Sequence, residues 1–262
     1  MRGIGGLLYE TSKLDAMEGI RYRGHSLYEI MDLCPTSPNQ LTDGHCSSPE
    51  AVFWLLLTGD YPKPQELEGL IKDMNQRGHL PEHVEELINN LPKDMHPMTQ
   101  FSMGMLALQP ESIFAKSYRE GIHKSKYWEP TLDDAVDVVA KTKRVAALIY
   151  HNLYKEGPMP ASDSSLDFGA DFAQMMGFKD DKDVYDLVRL YLTVHMDHEG
   201  GNVSAHTNRL VGSALSDPYL SFSSSLNGLA GPLHGLANQE CLRWLLSIKE
   251  KYGDDWTEEK VA

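Results

Sequence analysis

Apolar and polar positions recur at helical intervals along most of the chain. In 131–156, opened by Thr131-Leu132-Asp133-Asp134, the positions Ala135, Val138, Val139, Thr142, Ala146, Ile149 and Leu153 form one stripe, which predicts a long amphipathic helix. A second stripe, Val184, Leu187, Val188, Tyr191 and His195, predicts a helix over 182–196. Ser26-Leu27-Tyr28-Glu29 reads as a capping box, because the Ser hydroxyl and the Glu carboxylate reciprocally satisfy free amides at a helix start. Ser48-Pro49-Glu50 starts another helix with Pro at its first position, and Gly59 closes it. Bounding Pro and Gly residues predict helices at 64–77, 81–91, 97–108 and 113–127. Further helices are expected near 167–176, 202–214, 218–229 (capped by Asp217-Pro218) and 234–251, with a Pro/Ser/Ala-rich loop at 158–166. Strand signals are confined to the start, where Leu7-Leu8-Tyr9 and Ile20-Arg21-Tyr22 predict a small β-hairpin. The class expected is therefore all-α with an N-terminal hairpin. Thr257 through Val261 reads as an N-cap and first turn cut short at Ala262, suggesting truncation.

Composition narrows the function. The 262 residues carry 24 Lys+Arg against 38 Asp+Glu, 24 − 38 = −14, and are 41% hydrophobic. That is ample for a packed core and too apolar for a disordered chain. The acidic balance argues against a nucleic-acid partner. The longest apolar run, Ala51–Leu57, is too short to span a bilayer, and no apolar signal-peptide region follows Met1. Cys34, Cys46 and Cys241 are odd in number and match no zinc spacing, which suits a reducing compartment, cytosol or mitochondrial matrix.

Two stretches concentrate reactive side chains. His195-Met196-Asp197-His198-Glu199-Gly200-Gly201-Asn202-Val203-Ser204-Ala205-His206 places three histidines and two acids within twelve residues. One reading is a zinc hydrolase using His195, Asp197, His198 and His206. The plainer reading makes His195 and His206 hydrogen-bonded core residues. His198 is expected at a helix C-terminus, where a cation is favoured and can face an anion, with Gly200-Gly201 letting the backbone turn closely against a ligand. In Asn227–Glu240, Gly231-Pro232 ends one helix and His234 is expected in the first turn of the next, where the helix dipole favours a neutral imidazole.

These stretches resemble the citrate synthase family, in its eukaryotic mitochondrial type. The resemblance runs through His198–Thr207, Gly212–Tyr219 and Asn227–Glu240, and earlier through Gly6–Thr11, Glu18–Gly24 and Tyr118–Trp128. It implies a homodimeric mitochondrial-matrix acyltransferase of the tricarboxylic acid cycle, which condenses acetyl-CoA with oxaloacetate and hydrolyses citryl-CoA. No metal or prosthetic group is implied, since CoA arrives within the substrate. By resemblance His234 is catalytic at the thioester oxygen, His198 binds oxaloacetate, Ser204 orients the imidazole, and Arg2 and Lys124 contact CoA phosphates. The family's base and several substrate-binding arginines match nothing before Ala262, so the chain is expected to be inactive alone. Residues 1–233 would be the N-terminal part of a large helical domain and 234–262 the start of a small one. Helices matching 97–108 and 131–156 would pack across the dimer. The rival from outside enzymology is a catalytically silent helical dimerisation module.

Overall fold

The computed structural model describes residues 10–37 and 46–253. Arg2, the segment Leu7–Tyr9 and the C-terminal turn at 257–261 lie outside the described residues. The predicted hairpin becomes a three-stranded antiparallel sheet, β1 Ser12–Asp15, β2 Gly19–Tyr22 and β3 His25–Ser26, with Ser12 opposite Tyr22 and Leu14 opposite Ile20. Its tight turn is closed by Asp15, whose carboxylate accepts from the amides of Met17 (2.8 Å) and Glu18 (2.9 Å). That local polar bonding explains a first strand at 12–15.

Helices make up the rest. α1 is Leu27–Leu33, with the Ser26–Glu29 capping box formed as expected. α2 is Pro49–Thr58, ended by Gly59 at φ +89°, a left-handed conformation that glycine adopts without strain. α3 Pro64–Arg77, α4 Glu82–Asn89 and α5 Pro97–Ala107 follow their expected bounds closely. The helix expected over 113–127 is broken. α6 spans Ile113–Arg119, and a separate 3₁₀ turn covers Lys124–Lys126. The reason is a Schellman ending: Gly121 sits at φ +84° and the Ile122 amide donates to the Ser117 carbonyl at 3.0 Å. α7 spans Trp128–Tyr154, α8 Phe168–Met175, α9 Lys182–Val194, α10 Val203–Gly212, α11 Pro218–Leu229 and α12 Ala237–Tyr252.

α7 is the central post. It buries Val138, Val145, Leu148 and Ile149 against Val84 and Ile88 of α4, Met105 of α5, and Tyr219 and Leu226 of α11. Of the expected stripe only Val138 and Ile149 are buried, while Ala135, Val139, Thr142, Ala146 and Leu153 are half-buried; helices packed on several sides of α7 bury Ala140, Val145, Ala147 and Leu148 instead. Gly104 lets α5 approach: a Cβ there would lie 2.9 Å from Val145 Cγ1. Ser102 and Ser223 bond reciprocally between α5 and α11, the Ser223 hydroxyl donating to the Ser102 carbonyl at 2.9 Å. Asp134 turns away from its own helix to accept from the Ser112 hydroxyl and the Ile113 and Phe114 amides, fixing the start of α6.

Buried charges lock α7, α8 and α9. Lys143 pairs with Asp171 at 2.7 Å, and Arg189 pairs with Asp167, both partners nearly inaccessible. Asp167 also caps α8, accepting from the Gly169 and Ala170 amides. This network turns α9 away from the face its apolar stripe predicts. Tyr185, Arg189 and Thr193 point inward, while Leu187, Tyr191 and His195 are exposed. No residue of α12 is buried, and Leu242, Trp244, Leu245 and Leu246 are open to solvent.

Candidate active site

The sheet positions the loop that follows α9. The Tyr22 phenol, fully buried and pushed above its ordinary pKa by that burial, stays protonated and shares its one hydrogen between the carbonyls of Thr193 and Val194, each at 3.1 Å. β1 and the residue before it hold the next residues: Thr11 donates to Asp197 at 2.5 Å, Ser12 accepts from the Glu199 amide at 2.7 Å, and the Leu14 amide donates to the Glu199 carboxylate at 2.6 Å. Glu199 is held at φ +46°, a conformation that a non-glycine residue keeps only when its surroundings enforce it.

His198 stands exposed at the crest of this loop, and its imidazole makes no hydrogen bond with any described residue. α9 stops at Val194, so His198 lies four residues past the helix end. The helix-terminus argument for a cation at His198 therefore fails, because the dipole's field is confined to the last turn. The glycine argument is corrected at Gly200, while the space beside Gly201 is open. The space a Cβ at Gly200 would need is filled by the Arg209 guanidinium, whose Nη1 would lie 1.7 Å away and donates to the Gly200 carbonyl at 3.0 Å.

α10 brings Ser204 to His234. Asn202 caps α10, its Oδ1 accepting from the Ala205 amide at 2.9 Å. The same Oδ1 accepts from the Ser204 hydroxyl at 2.7 Å, and the Asn202 Nδ2 donates to the His198 carbonyl at 3.2 Å. Ser204 Oγ lies 2.8 Å from His234 Nε2. The Ser204–His234 pairing is thus present, and Asn202 joins it to His198. His234 itself precedes α12, in the turn Gly231–Leu236, with its amide donating to the Gly231 carbonyl at 3.0 Å. It is not in the first helical turn, because the Gly231–Leu236 backbone closes on itself before α12 begins. Gly235 makes this turn possible: a Cβ there would lie 2.6 Å from the Leu229 carbonyl oxygen.

The remaining expected residues make no hydrogen bond to Ser204 or His234 among the described residues. Lys124 is exposed in its 3₁₀ turn, as a cation reaching a neighbouring subunit would need to be, and Arg2 lies outside the described residues. His195 and His206 are exposed, so the core reading fails for both. His195 Nδ1 is bound to the Tyr191 carbonyl at 2.9 Å, with the ring stacked on Tyr191. Among the described residues no three His, Cys, Asp or Glu side chains gather as a metal site needs. Asp197 is engaged by Thr11, and the zinc hydrolase reading has no support. Sequence reasoning missed Asn202, although an Asn two residues before a Ser at a helix start carries an N-cap signature that could have marked it.

Comparison with known proteins identifies the family and the fold. The family model described as citrate synthase, C-terminal domain, matches residues 1–262. The chain is 54% identical over 261 residues to citrate synthase 4, mitochondrial, of Arabidopsis thaliana, covering 100% of this chain and 54% of that relative. The chain thus spans about half the length of the curated relatives it matches. The solved citrate synthase of Pyrobaculum aerophilum superposes with a TM-score of 0.77 at 28% identity, over 90% of this chain and 56% of that one. A Thermoplasma acidophilum citrate synthase, solved with carboxymethyl coenzyme A and oxaloacetate, shares the fold with a TM-score of 0.75 at 21% identity, over 94% of this chain and 59% of that one. With a family match along its whole length and the helical fold of its solved members, this chain belongs to the citrate synthase family.

Proposed function

We propose that this sequence carries the thioester-activating part of a mitochondrial-matrix citrate synthase, which condenses acetyl-CoA with oxaloacetate and hydrolyses citryl-CoA. The observation that carries this reading is the hydrogen-bonded run from the His198 backbone through Asn202 and Ser204 to His234. Removing a proton from the acetyl methyl develops charge on the thioester oxygen. A positioned N–H donor lowers that barrier by more than it stabilises the ground state. His234 is that donor in this reading and Ser204 holds its ring. The exposed His198 ring faces oxaloacetate. Arg2, as a bidentate fork, and Lys124, as a point charge reaching the neighbouring subunit's site, are proposed to contact CoA phosphates. The enzyme is proposed to act as a homodimer without metal or prosthetic group, with the chain dividing near 233 into a large domain and the start of a smaller one.

The test is citrate formation by this chain supplied with the part of the Arabidopsis relative that it does not cover. His234→Ala is expected to lower kcat about a hundredfold, the loss of one oxyanion donor, with oxaloacetate affinity unchanged. His198→Ala is expected to weaken oxaloacetate about ten- to a hundredfold, from losing one charge-assisted hydrogen bond, with the melting temperature unmoved. Absence of citrate formation under these conditions would overturn the proposal in favour of the silent dimerisation module.

A further inference from the structure

We infer that His96 is a positioning residue for His234, clamping the first turn of α12 to the start of α5 through Gln239. His96 is the N-cap of α5, and its Nδ1 accepts from the Met98 amide at 3.2 Å. A backbone amide can only donate, so Nδ1 is bare and the neutral ring carries its proton on Nε2. Nε2 lies 3.2 Å from Gln239 Oε1, in the first turn of α12, and donates to it. The α5 end of this clamp is firmly held. Buried Gln100 donates to the Pro92 and Met95 carbonyls, at 3.3 and 2.8 Å, and so fixes the loop that delivers His96. The Thr99 and Gln100 amides donate to the His96 carbonyl.

α12 is otherwise lightly held. It buries no residue, and among the described residues no other of its side chains hydrogen-bonds outside the helix. Its first turn is nevertheless continuous with the turn that carries His234. The Ala237 amide donates to the His234 carbonyl at 3.1 Å, and the Asn238 amide donates to the Gly235 carbonyl at 3.2 Å. A shift of α12 at Gln239 is therefore passed along backbone bonds to His234 and to its 2.8 Å contact with Ser204. α11 leads into the same turn and is tied to α5 by the Ser102–Ser223 pair. Through Gln239, His96 closes the circuit from α5 through α11, the turn and α12 back to α5. The catalytic meaning of this clamp rests on the role proposed above for His234.

The experiment follows amide hydrogen exchange across 234–240 and nitrogen-15 histidine signals in this chain alone, with His234→Gln and His96→Ser assigning the rings. Gln239→Ala is expected to speed exchange there about two- to tenfold, the worth of one neutral hydrogen bond, and to move the His234 signals. His96→Ser keeps a favoured N-cap for α5 but cannot span to Gln239, and is expected to give the same change. Both substitutions together are expected to add nothing, since they cut one bond. Gln239→Glu retains an acceptor and is expected to keep wild-type exchange, but not in the His96→Ser background. Unmoved exchange in Gln239→Ala, or additive effects of the two substitutions, would overturn the clamp. In the chain supplied with the remainder of the Arabidopsis relative, Gln239→Ala is expected to lower kcat about two- to tenfold with oxaloacetate affinity unchanged. A displacement of a few tenths of an ångström forfeits part of the roughly hundredfold that 1 Å costs. Wild-type kcat in Gln239→Ala would overturn the positioning role. If His234→Ala itself left kcat unmoved, the proposed function would fail while the exchange result stood.

Discussion

Gly235→Ala tests whether the turn before α12 places His234. The added Cβ would sit 2.6 Å from the Leu229 carbonyl oxygen and 2.6 Å from Leu229 Cδ1, against an ordinary contact of 3.4 Å or more. The side-chain clash can be relieved by rotation, but the carbonyl belongs to the last residue of α11 and cannot yield alone. The backbone must therefore move by 3.4 − 2.6 = 0.8 Å. Taken along the His234–Ser204 bond, that displacement stretches 2.8 Å to 3.6 Å, beyond hydrogen-bonding range. Overpacking costs about 1–3 kcal/mol, partly offset by about 0.4–1 kcal/mol from the stiffer unfolded chain. The net loss, about 1–2 kcal/mol, lowers the melting temperature by roughly 2–8 °C in a chain of this size. In the completed enzyme a misplacement near 1 Å is expected to reduce kcat up to about a hundredfold. Calorimetric melting and the His234 nitrogen signals are the assays. An unchanged melting temperature together with an unchanged Nε2 signal would refute the reasoning.

Other expected outcomes concern the buried charges and thiols. Arg189→Met strands Asp167 as an unpaired anion bonded only to Ser37 and two amides. It should cost about 3–5 kcal/mol in urea unfolding, and a loss below about 1 kcal/mol would refute the pairing argument. The Arg189 guanidinium holds the Asp167 carboxyl below its ordinary pKa despite burial. The stability it contributes is therefore full above the unfolded carboxylate value and lost as pH falls through the lower folded value. Glu50 is the opposite case. Burial, aided by the Asp167 charge, raises its pKa, so stability falls as pH rises from the unfolded value toward the folded one. Glu50→Gln mimics the protonated acid and should match the wild type at low pH and exceed it at neutral pH; equal melting temperatures across the range would refute this. Burial pushes the Cys34 thiol up to about 12 and Cys46 to about 11, while Cys241 is exposed. A thiol reagent on the folded chain should label Cys241 alone, and modification of Cys34 before unfolding would contradict the packing around α1 and α2.

Local chemistry in the sequence determined where most helices begin and end. Ser26 with Glu29, Ser48 with Pro49, Gly59, and Asp217 with Pro218 act within a few residues, so their effect survives any tertiary arrangement. The family was also legible, because it rests on contiguous motifs, and the Ser204–His234 pairing followed from that resemblance rather than from any local pattern. Tertiary structure decided three other things. It rotated α9, since placing Arg189 against Asp167 in the interior outweighed the pull of an apolar stripe. It detached His198 from the helix end and hung it from β1, through bonds between Thr11, Ser12 and Leu14 and residues about 185 positions later. And it made Asn202 the link between two candidate histidines, one of them 32 positions further along the chain. No local pattern encodes which distant hydroxyl or carboxylate will satisfy a given amide; that choice is made only when burial strips away water and every polar group must find a partner.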